Sequence, residues 1–544
     1  MRSAARTSCL LTATIVFLFI PLIAFALPEG ESVVSGSATF DRSASNTLNV
    51  NTPSERLIVN YNSFSIAQPE TVSFQQPSAS SIVLNRVVGV DPSAIMGTLN
   101  ANGRVFIVNP NGVIFGPNSR VDVAGLVASS LNISNDDFLN GKHVFTKSGK
   151  NGYVINEGTI NARGGYVCLL GGAVDNRMMI QAELGTVVLA AGEKITVSLE
   201  DQNAISVVVD EAVQSEVFGP GGVKMTSAVK NSGSILAEGG KVMLTAKVLN
   251  RVFDHAINNT GLVKVTSLVE REGVIELVAE GAPIVNSGTL EADRIYIKGS
   301  NADFVNTPEA RIIANAVAAA SPDGGKIAIE ATSVLQQGLI CANALEQGAA
   351  GEIIIVSEGT ATFDSSSCTE ARAMGIVGNG GRINITSKQT SVFVNKNAKI
   401  DFSAGAVSGN GGLLRIDAFE QLGFYGILNG RAPPGYTPGK AILDPLLSVI
   451  SGEFSSNTII YSPNDISIVG DIYVTSGEYY DIYFSILADH NSETVGDWHD
   501  GIGAIINTGD YVIYFSENTE YSSLVLRAGS GIGSLAGFIQ TYNA

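Results

Sequence analysis

Short runs of alternating apolar and polar residues recur along the chain, each introduced by a glycine corner. Val, Ile or Leu stands at every second position, with Lys, Arg, Asn or Thr between, which places the apolar side chains on one face of a short strand. Glycine has no side chain, so it fits at a tight corner where a bulky residue would not. The glycine pairs or single glycines that open these runs begin at Gly164, Gly239, Gly324, Gly351, Gly380 and Gly411.

A second phrase, Asn-x-Gly-x-Ile/Leu-x-Ala, repeats at a similar spacing. It begins at Asn156, Asn231 and Asn286, and a looser copy begins at Asn259. The last three starting points, in chain order, lie 28 and 27 residues apart. A recurring period of this length indicates a repeat architecture. We expect asparagines at equivalent turns to stack as ladders, as they do in other stacked-strand systems.

The repeats predict an all-β chain that coils into a single-stranded parallel β-helix, or solenoid. A repeat of roughly 20–31 residues without a helix cannot make βαβ crossovers, but it can stack each turn on the one below at about 4.8 Å. Some 400 residues at about 25 per turn would give about 16 turns and a rod of ~80 Å. Antiparallel sandwiches, with turns roughly every 8–12 residues, are the alternative.

Changes in the pattern suggest how the chain is divided. The segment from Leu27 to about Leu99 is less regular and suits an N-terminal cap over the open end of the coil. Four prolines interrupt the pattern between Leu422 and Leu446, and the chain beyond is rich in tyrosine, which predicts an irregular β-rich C-terminal region. The expected units are a signal peptide (1–26), a capped β-helix domain (27–200), further β-helix repeats (201–430) and the C-terminal region (431–544).

The N-terminus predicts export. Arg2 and Arg6 precede an almost wholly apolar run, Leu10 to Phe25, and Ala24-Phe25-Ala26 fits a small-x-small cleavage site. This pattern is typical of a secretory signal peptide, with an uncleaved anchor as the alternative. No second apolar run approaches the roughly 18 residues of a membrane helix.

Composition narrows the class of protein further. An apolar content of 45% excludes intrinsic disorder, and 59 glycines with a single Trp fit a β-rich chain with many tight turns. The net charge of −18 disfavours nucleic acid as a partner. Of the cysteines, Cys168, Cys341 and Cys368 follow the leader without a CxxC or a metal-ligand spacing, so we expect buried thiols. Cys341 and Cys368 lie 27 residues apart, a spacing that fits neighbouring turns of a coil, where a disulfide between them is the alternative.

One stretch resembles a known family. Gly97–Gly116, which reads GTLNANGRVFIVNPNGVIFG, and Val121–Ser130, which reads VDVAGLVASS, resemble the secretion domain of filamentous-haemagglutinin-type exoproteins. These are the secreted members of two-partner secretion systems. The resemblance is strong over roughly residues 30–200, and Ala441–Pro445 echoes a phrase found downstream in such proteins.

The resemblance implies a fold, a partner and a motif. It implies a right-handed β-helix with an N-terminal cap, recognised in the periplasm by the polypeptide-transport-associated domains of an outer-membrane barrel. The chain would cross unfolded and fold outside. The recognition motif maps to Asn109, Pro110, Asn111 and Gly112, whereas Val59–Phe64 departs from the family's earlier Asn-Pro-Asn motif. The tetrapeptide by itself also predicts a type I turn at a corner of the coil.

The sequence gives little support to an enzyme. Parallel β-helices also house polysaccharide lyases and hydrolases, which need clustered carboxylates. Asp136-Asp137 is interpreted as a solvated turn in a loop. Asp489-His490 with Asp497-Trp498-His499-Asp500 could serve a metal or a sugar, but a polar exposed loop is the simpler interpretation. We therefore predict no catalytic residues, no metal site and no cofactor.

Three functions remain open. The first is a secreted or surface-exposed adhesin, also suited to biofilm contacts, that binds a host or bacterial surface glycan or protein. The second is a carbohydrate-binding or polysaccharide-cleaving β-helix. The third is the stem of a contact-dependent toxin, which needs a C-terminal catalytic module for which we expect little room.

Overall fold

The structure is a computed structural model that describes most of the chain after the predicted leader. The described residues are 27–162, 164–200, 204–265, 273–315, 323–462 and 466–474, followed by the short segments 483–488, 504–507, 513–516, 523–527, 531–532 and 539–542. The predicted signal peptide, 1–26, and the polar segment around Asp497 lie outside the described residues.

Strands are the dominant secondary structure of the described chain, which has one helical turn and one short 3-10 turn at Pro220–Gly222. The first half contains β1 (Ser32–Ser35), β2 (Thr39–Asp41), β3 (Thr47–Asn51), β4 (Arg56–Tyr61), β5 (Thr71–Gln75), β6 (Ile82–Val87), β7 (Ser93–Ile95), β8 (Thr98–Ala101), β9 (Arg104–Val108), β10 (Val113–Phe115), β11 (Arg120–Val123), β12 (Gly125–Ser129), β13 (Asn132–Ile133), α1 (Asn135–Leu139), β14 (His143–Thr146), β15 (Tyr153–Asn156), β16 (Thr159–Ala162), β17 (Tyr166–Gly171), β18 (Ala173–Asn176), β19 (Met179–Gln181), β20 (Thr186–Ala191), β21 (Lys194–Glu200), β22 (Ala204–Glu211), β23 (Ser227–Asn231), β24 (Ser234–Leu236), β25 (Lys241–Lys247), β26 (His255–Asn259) and β27 (Leu262–Val265).

The second half continues with β28 (Val274–Glu280), β29 (Ile284–Asn286), β30 (Thr289–Ala292), β31 (Arg294–Ser300), β32 (Phe304–Asn306), β33 (Arg311–Ile313), β34 (Lys326–Ala331), β35 (Val334–Gln336), β36 (Leu339–Cys341), β37 (Glu352–Ser357), β38 (Ala361–Phe363), β39 (Cys368–Glu370), β40 (Arg382–Ser387), β41 (Val392–Val394), β42 (Lys399–Asp401), β43 (Leu413–Phe424), β44 (Ile427–Asn429), β45 (Lys440–Ser455), β46 (Asn457–Ser462), β47 (Ile466–Val474), β48 (Tyr483–Ala488), β49 (Ala504–Asn507), β50 (Ile513–Ser516), β51 (Ser523–Arg527), β52 (Gly531–Ile532) and β53 (Ile539–Tyr542).

Three strands make one turn, or rung, and each strand pairs in parallel with its counterpart in the next rung. On one face β23 pairs with β26, β26 with β29 and β29 with β32. On the second face β24, β27 and β30 follow one another, and on the third face β25, β28, β31 and β34 do so. The predicted parallel β-helix is therefore confirmed, and the antiparallel sandwich alternative is wrong.

One apolar column fills the interior of the rungs. The rung strands turn alternate apolar side chains inward, and these side chains form one contiguous buried cluster from Leu48 to Ile513. In β31, for example, Ile295 and Ile297 are buried whereas the intervening positions are partly or fully exposed. A single rung could not bury its apolar face alone, but stacked rungs cover one another. The hydrophobic effect therefore stabilises the stack as a whole.

A buried amide ladder runs along one edge of this column. The Nδ2 group of each asparagine donates to the side-chain oxygen of the next rung at 2.7–2.9 Å, so every member is satisfied inside the rod. The members, none of them exposed, are Asn156, Asn176, Asn231, Asn259, Asn286, Asn306 and Gln336. Phe115 and Phe363 occupy the corresponding positions immediately before and after the ladder. The predicted stacking of asparagines is confirmed.

Antiparallel strands close the N-terminal end. β1 pairs antiparallel with β4, and β2 pairs antiparallel with β3. Parallel stacking begins only after them, with β3 on β5 and β4 on β6. These extra strands cover backbone groups that an open end would expose to other chains. The predicted N-terminal cap is confirmed, but its predicted extent, Leu27 to about Leu99, is wrong, because β3 to β8 already belong to the parallel stack.

A second, antiparallel sheet covers part of the third face, and the sequence pattern did not predict it. β13, β14, β21 and β22 pair in that order. We call these four strands the side sheet. Between it and the rod lies a separate apolar cluster that includes Phe106, Phe138 and Cys168. Strands such as β17 and β20 are consequently buried on both faces.

The expected solvated loop at Asp136-Asp137 is corrected to a helical turn. Both residues lie in the first turn of α1, where Ser134 is the N-cap and its Oγ accepts a hydrogen bond from the Asp137 N–H at 3.0 Å. Acidic residues near a helix N-terminus favour the helix. Asp136 is exposed, as expected for a solvated carboxylate.

Parallel pairing continues beyond residue 431. β43 pairs with β45, β45 with β46 and β47, and the short strands from β48 to β53 also pair in parallel. The division of the chain into separate units stays a prediction. Among the residues with described coordinates, no helix is long and apolar enough to span a bilayer.

Candidate secretion-motif site

The Asn109-Pro110-Asn111-Gly112 segment forms the corner between β9 and β10. The Gly112 N–H donates to the Asn109 carbonyl at 3.0 Å, which closes a four-residue turn. Within the turn, Asn109 Oδ1 accepts a hydrogen bond from the Asn111 N–H at 3.0 Å. The predicted corner is confirmed, with a side-chain bond that fixes its shape.

Asn109 is the buried anchor of this corner. Its side chain is fully inaccessible to solvent, and its Nδ2 group donates to the Asp91 carbonyl at 2.9 Å and to Ser93 Oγ at 3.1 Å. Both acceptors belong to the preceding rung. The amide is therefore satisfied in both its donor and its acceptor groups, and the folded rod hides it from any partner.

The other three residues divide between surface and packing. Asn111 is exposed and Pro110 partly exposed, so these two form the accessible tip. Gly112 is buried with φ +120°, and a Cβ at this position would lie 2.9 Å from the Tyr153 ring. Only glycine fits both the backbone conformation and the space.

Corners of successive rungs stack at this place. Asn111 Nδ2 donates to the Gly89 carbonyl of the previous corner at 3.0 Å. Gly89 in turn lies against the backbone of Asn62, with no room for a Cβ. The unmatched Val59–Phe64 segment therefore occupies the same corner two rungs earlier. Three adjacent corners thus present Asn62, the Val88–Asp91 loop and Asn111 on one side.

Arg86 clamps the side sheet beside this corner. Its guanidinium donates to Asn135 Oδ1 and to the Ile133 carbonyl, both at 2.6 Å, and to Asn132 Oδ1 at 3.2 Å. All three acceptors are uncharged, and burial lowers the pKa of Arg86. Sequence reasoning missed this residue, because its partners lie 46–49 residues further along the chain and only the Asn-Arg pair at 85–86 marks it.

The cysteines are free and mostly buried, as expected. Cys341 and Cys368 lie on neighbouring strands, but the register sets Cys368 opposite Leu339 and Cys341 opposite Glu370. Burial raises the pKa of Cys168 to about 12. Within the described part of the chain, no group of three His, Cys, Asp or Glu side chains could hold a metal ion.

The capped parallel β-helix and its Asn-Pro-Asn-Gly corner agree with what the resemblance to exoprotein secretion domains implied. The family comparison agrees: residues 24–292 match the TPS secretion domain. Residues 24–292 of the chain thus carry a two-partner secretion domain, as the sequence resemblance implied.

Two curated relatives and two solved structures share similarity with the chain. A heme/hemopexin-binding protein of Haemophilus influenzae strain Rd is 32% identical over 296 residues, 53% of this chain and 30% of that protein. A second Haemophilus influenzae heme/hemopexin-binding protein is 28% identical over 289 residues, 49% of this chain and 30% of that protein. The chain thus spans about a third of the length of these relatives.

The two structures are more distant. The HMW1 secretion domain of Haemophilus influenzae has 22% identity and a TM-score of 0.47, with 80% of this chain and 98% of that chain covered. A filamentous hemagglutinin secretion domain has 16% identity and a TM-score of 0.33, with 51% and 95% covered. The strand pairing of this chain by itself establishes its parallel β-helix.

Proposed function

We propose that the chain is exported by a partner outer-membrane barrel with periplasmic transport-associated domains, which recognises the Asn109–Gly112 corner. The observation that carries this proposal is that the Asn109 side-chain amide cannot bond both the folded rod and a partner. In the folded rod its amide is consumed by Asp91 and Ser93. A partner that reads this amide must therefore do so before the rung forms.

This competition gives export a direction. While the corner is unfolded, the side chains of Asn109 and Asn111 are free to bond the partner. Once the rung closes outside the cell, the anchor is buried and rebinding loses at least one polar contact. A lost hydrogen bond of about 1.4 kcal/mol weakens binding about tenfold.

Export of matched variants tests the proposal, because the chain contains a second Pro-Asn turn. The test variant is Pro110→Ala/Asn111→Ala. The control is Pro117→Ala/Asn118→Ala, at two exposed positions between β10 and β11. Each is expressed with the cognate barrel, and the protein is quantified in the medium and in the periplasm.

We expect the test variant to reach the medium about tenfold less and the control to be exported normally. Thermal unfolding of both purified proteins separates export from stability, because each double variant should keep the β-helix. Equal export of the two variants would show that the partner barrel does not recognise this corner.

We further propose that the exported rod acts at the cell surface as an adhesin. Supporting this proposal, outward Lys and Glu side chains pair between adjacent rungs, as in Lys241–Glu276, Lys264–Glu291 and Lys326–Glu352 at 2.7–2.8 Å. Because such charged faces are solvated, a long rod can project into water. This property suits a spacer between a cell and the surface that it contacts.

Binding of the purified mature protein to immobilised host and bacterial glycans and proteins tests adhesion. A saturable, ligand-specific signal supports an adhesin. If the protein instead cleaves a polysaccharide, and Asp497→Asn and Asp500→Asn abolish this activity, the enzymatic alternative replaces the adhesin proposal.

A further inference from the structure

The side sheet ends on a long strand whose outer edge has no strand beside it among the described residues. β22 pairs with β21 from Leu199–Ile205 to Ile195–Val209. Within the described chain, no third strand joins it. Such an edge carries a row of backbone N–H and C=O groups that can pair with another strand.

This edge lacks the usual protection against strand addition. Its central residues are Ile205, Ser206, Val207, Val208 and Val209, with neither proline nor lysine, and Val208 is 56% exposed. β-branched residues favour an extended backbone. The opposite edge differs, because β13 has only two residues and its Ile133 carbonyl is held by Arg86.

The rod supplies a floor beside this edge. The strands of the side sheet follow the rungs downward, and β22 lies over β20 and β25. The next rung contributes β28, whose outward Val278 is 39% exposed. The edge of β22 and the outer face of β28 thus form a step with a hydrogen-bonding wall and a partly apolar floor.

The charge at one end of the step selects the ligand. Asp210 and Glu211 at the end of β22 are both exposed, and Glu276 and Glu280 line the floor. Lys241 and Lys247 pair with the two floor carboxylates. Asp210 and Glu211 form no ion pair among the described residues, and Lys194, opposite Glu211, is the one lysine of the neighbouring strand β21. Negative charge is therefore in excess at the end of β22, and an incoming strand needs a basic residue there.

We propose that this step binds an extended segment of another polypeptide as a fifth strand of the side sheet, with apolar side chains on Val278 and a basic residue beside Asp210 and Glu211. A second copy of the chain fits poorly, because its β22 is backed by its own β20 and β25. These strands would need the space that β28 fills. Strand addition gives affinity through the main chain and specificity through alternate side chains.

A synthetic probe tests the proposal without altering the fold. The probe is a fluorescein-labelled peptide of sequence KVTVTVTK, with blocked termini, titrated with the full mature chain. Two further peptides carry N-methyl groups on alternate amides, in the two possible phases. Alternate N–H groups of an added strand point at its neighbour. We expect one phase to bind like the parent and the other to bind at least about tenfold more weakly.

Charge variants locate the site. The double variant Asp210→Lys/Glu211→Lys should bind the parent peptide more weakly than the wild-type protein does. The variant Asp136→Lys, in α1 at the opposite end of the side sheet, should bind the peptide with unchanged affinity. The proposal is overturned if peptide binding does not saturate at millimolar concentration. It is also overturned if the two methylated peptides bind with equal affinity, or if the two charge variants change the affinity equally. A dimer that requires Val208 in sedimentation would also overturn it, in favour of self-association.

Discussion

Replacing Asn259 with Ala removes one member from the middle of the amide ladder. Asn259 accepts a hydrogen bond from Asn231 Nδ2 and donates one to Asn286 Oδ1, both at 2.8 Å, and all three residues are fully buried. The substitution leaves Asn286 Oδ1 without a partner and Asn231 Nδ2 with only its long bond to the Leu262 carbonyl at 3.5 Å. An unsatisfied buried group costs about 1–3 kcal/mol, and the weakened Asn231 donor adds to this, so the expected loss in the free energy of unfolding is at least about 1–3 kcal/mol.

The neighbouring residue provides a matched control. Asn258 lies in the same strand, β26, but is partly exposed on its outer side. Asn258→Ala should change stability by less than about 0.5 kcal/mol. Because rungs can open locally, hydrogen exchange followed by mass spectrometry across β23, β26 and β29 is the suitable assay, supported by urea unfolding. Equal protection in the two variants would refute the view that the ladder stabilises the rod.

Three further changes test other parts of the structure. Burial, with smaller effects of nearby arginines, lowers the pKa of His143 to about 4, below its ordinary 6.5. Stability should therefore be complete above pH 6.5 and fall by about 3 kcal/mol as the pH drops to 4, and urea unfolding of His143→Leu should lack this slope. Gly112→Ala should lose about 1–3 kcal/mol in thermal unfolding from its positive φ and the Tyr153 contact, and a wild-type melting temperature would contradict this. A thiol reagent should label the partly exposed Cys368 of the native protein before the fully buried Cys168, which should react only on unfolding.

The repeats carry enough information to predict the rungs and the ladder. Asn231, Asn259 and Asn286 recur at the period of one rung, so a register that stacks the apolar residues also stacks these amides. The hydrophobic alternation and the ladder thus support one fold, and local and global preferences agree.

The side sheet could not be predicted in the same way. Strands β14, β21 and β22 alternate like rung strands, and nothing local marks them as antiparallel. Their only trace is in the covered rungs, where Tyr166, Cys168 and Leu170 make the outward positions of β17 apolar as well. Such a continuous apolar run indicates a strand buried on both faces without identifying what covers it.

The motif was predicted as a turn, but its burial was not. The partners of Asn109 come from Asp91 and Ser93, 18 and 16 residues earlier, in the preceding rung. Turn propensity concerns four adjacent residues, so it is silent about contacts between rungs. That Asn109 is an anchor and Asn111 the accessible residue emerges only from the stacking.

Distances between outward positions on one face test the continuous stack most directly. Lys230, Asn258, Val285, Val305, Leu335, Thr362 and Phe393 occupy equivalent positions on successive rungs. Nitroxides attached through an unnatural amino acid avoid the native thiols, and double electron–electron resonance gives the separations. The stack predicts about 19 Å from residue 230 to 335 and about 29 Å from 230 to 393, at about 4.8 Å per rung. Separations that do not grow in proportion to the number of rungs would contradict the β-helix.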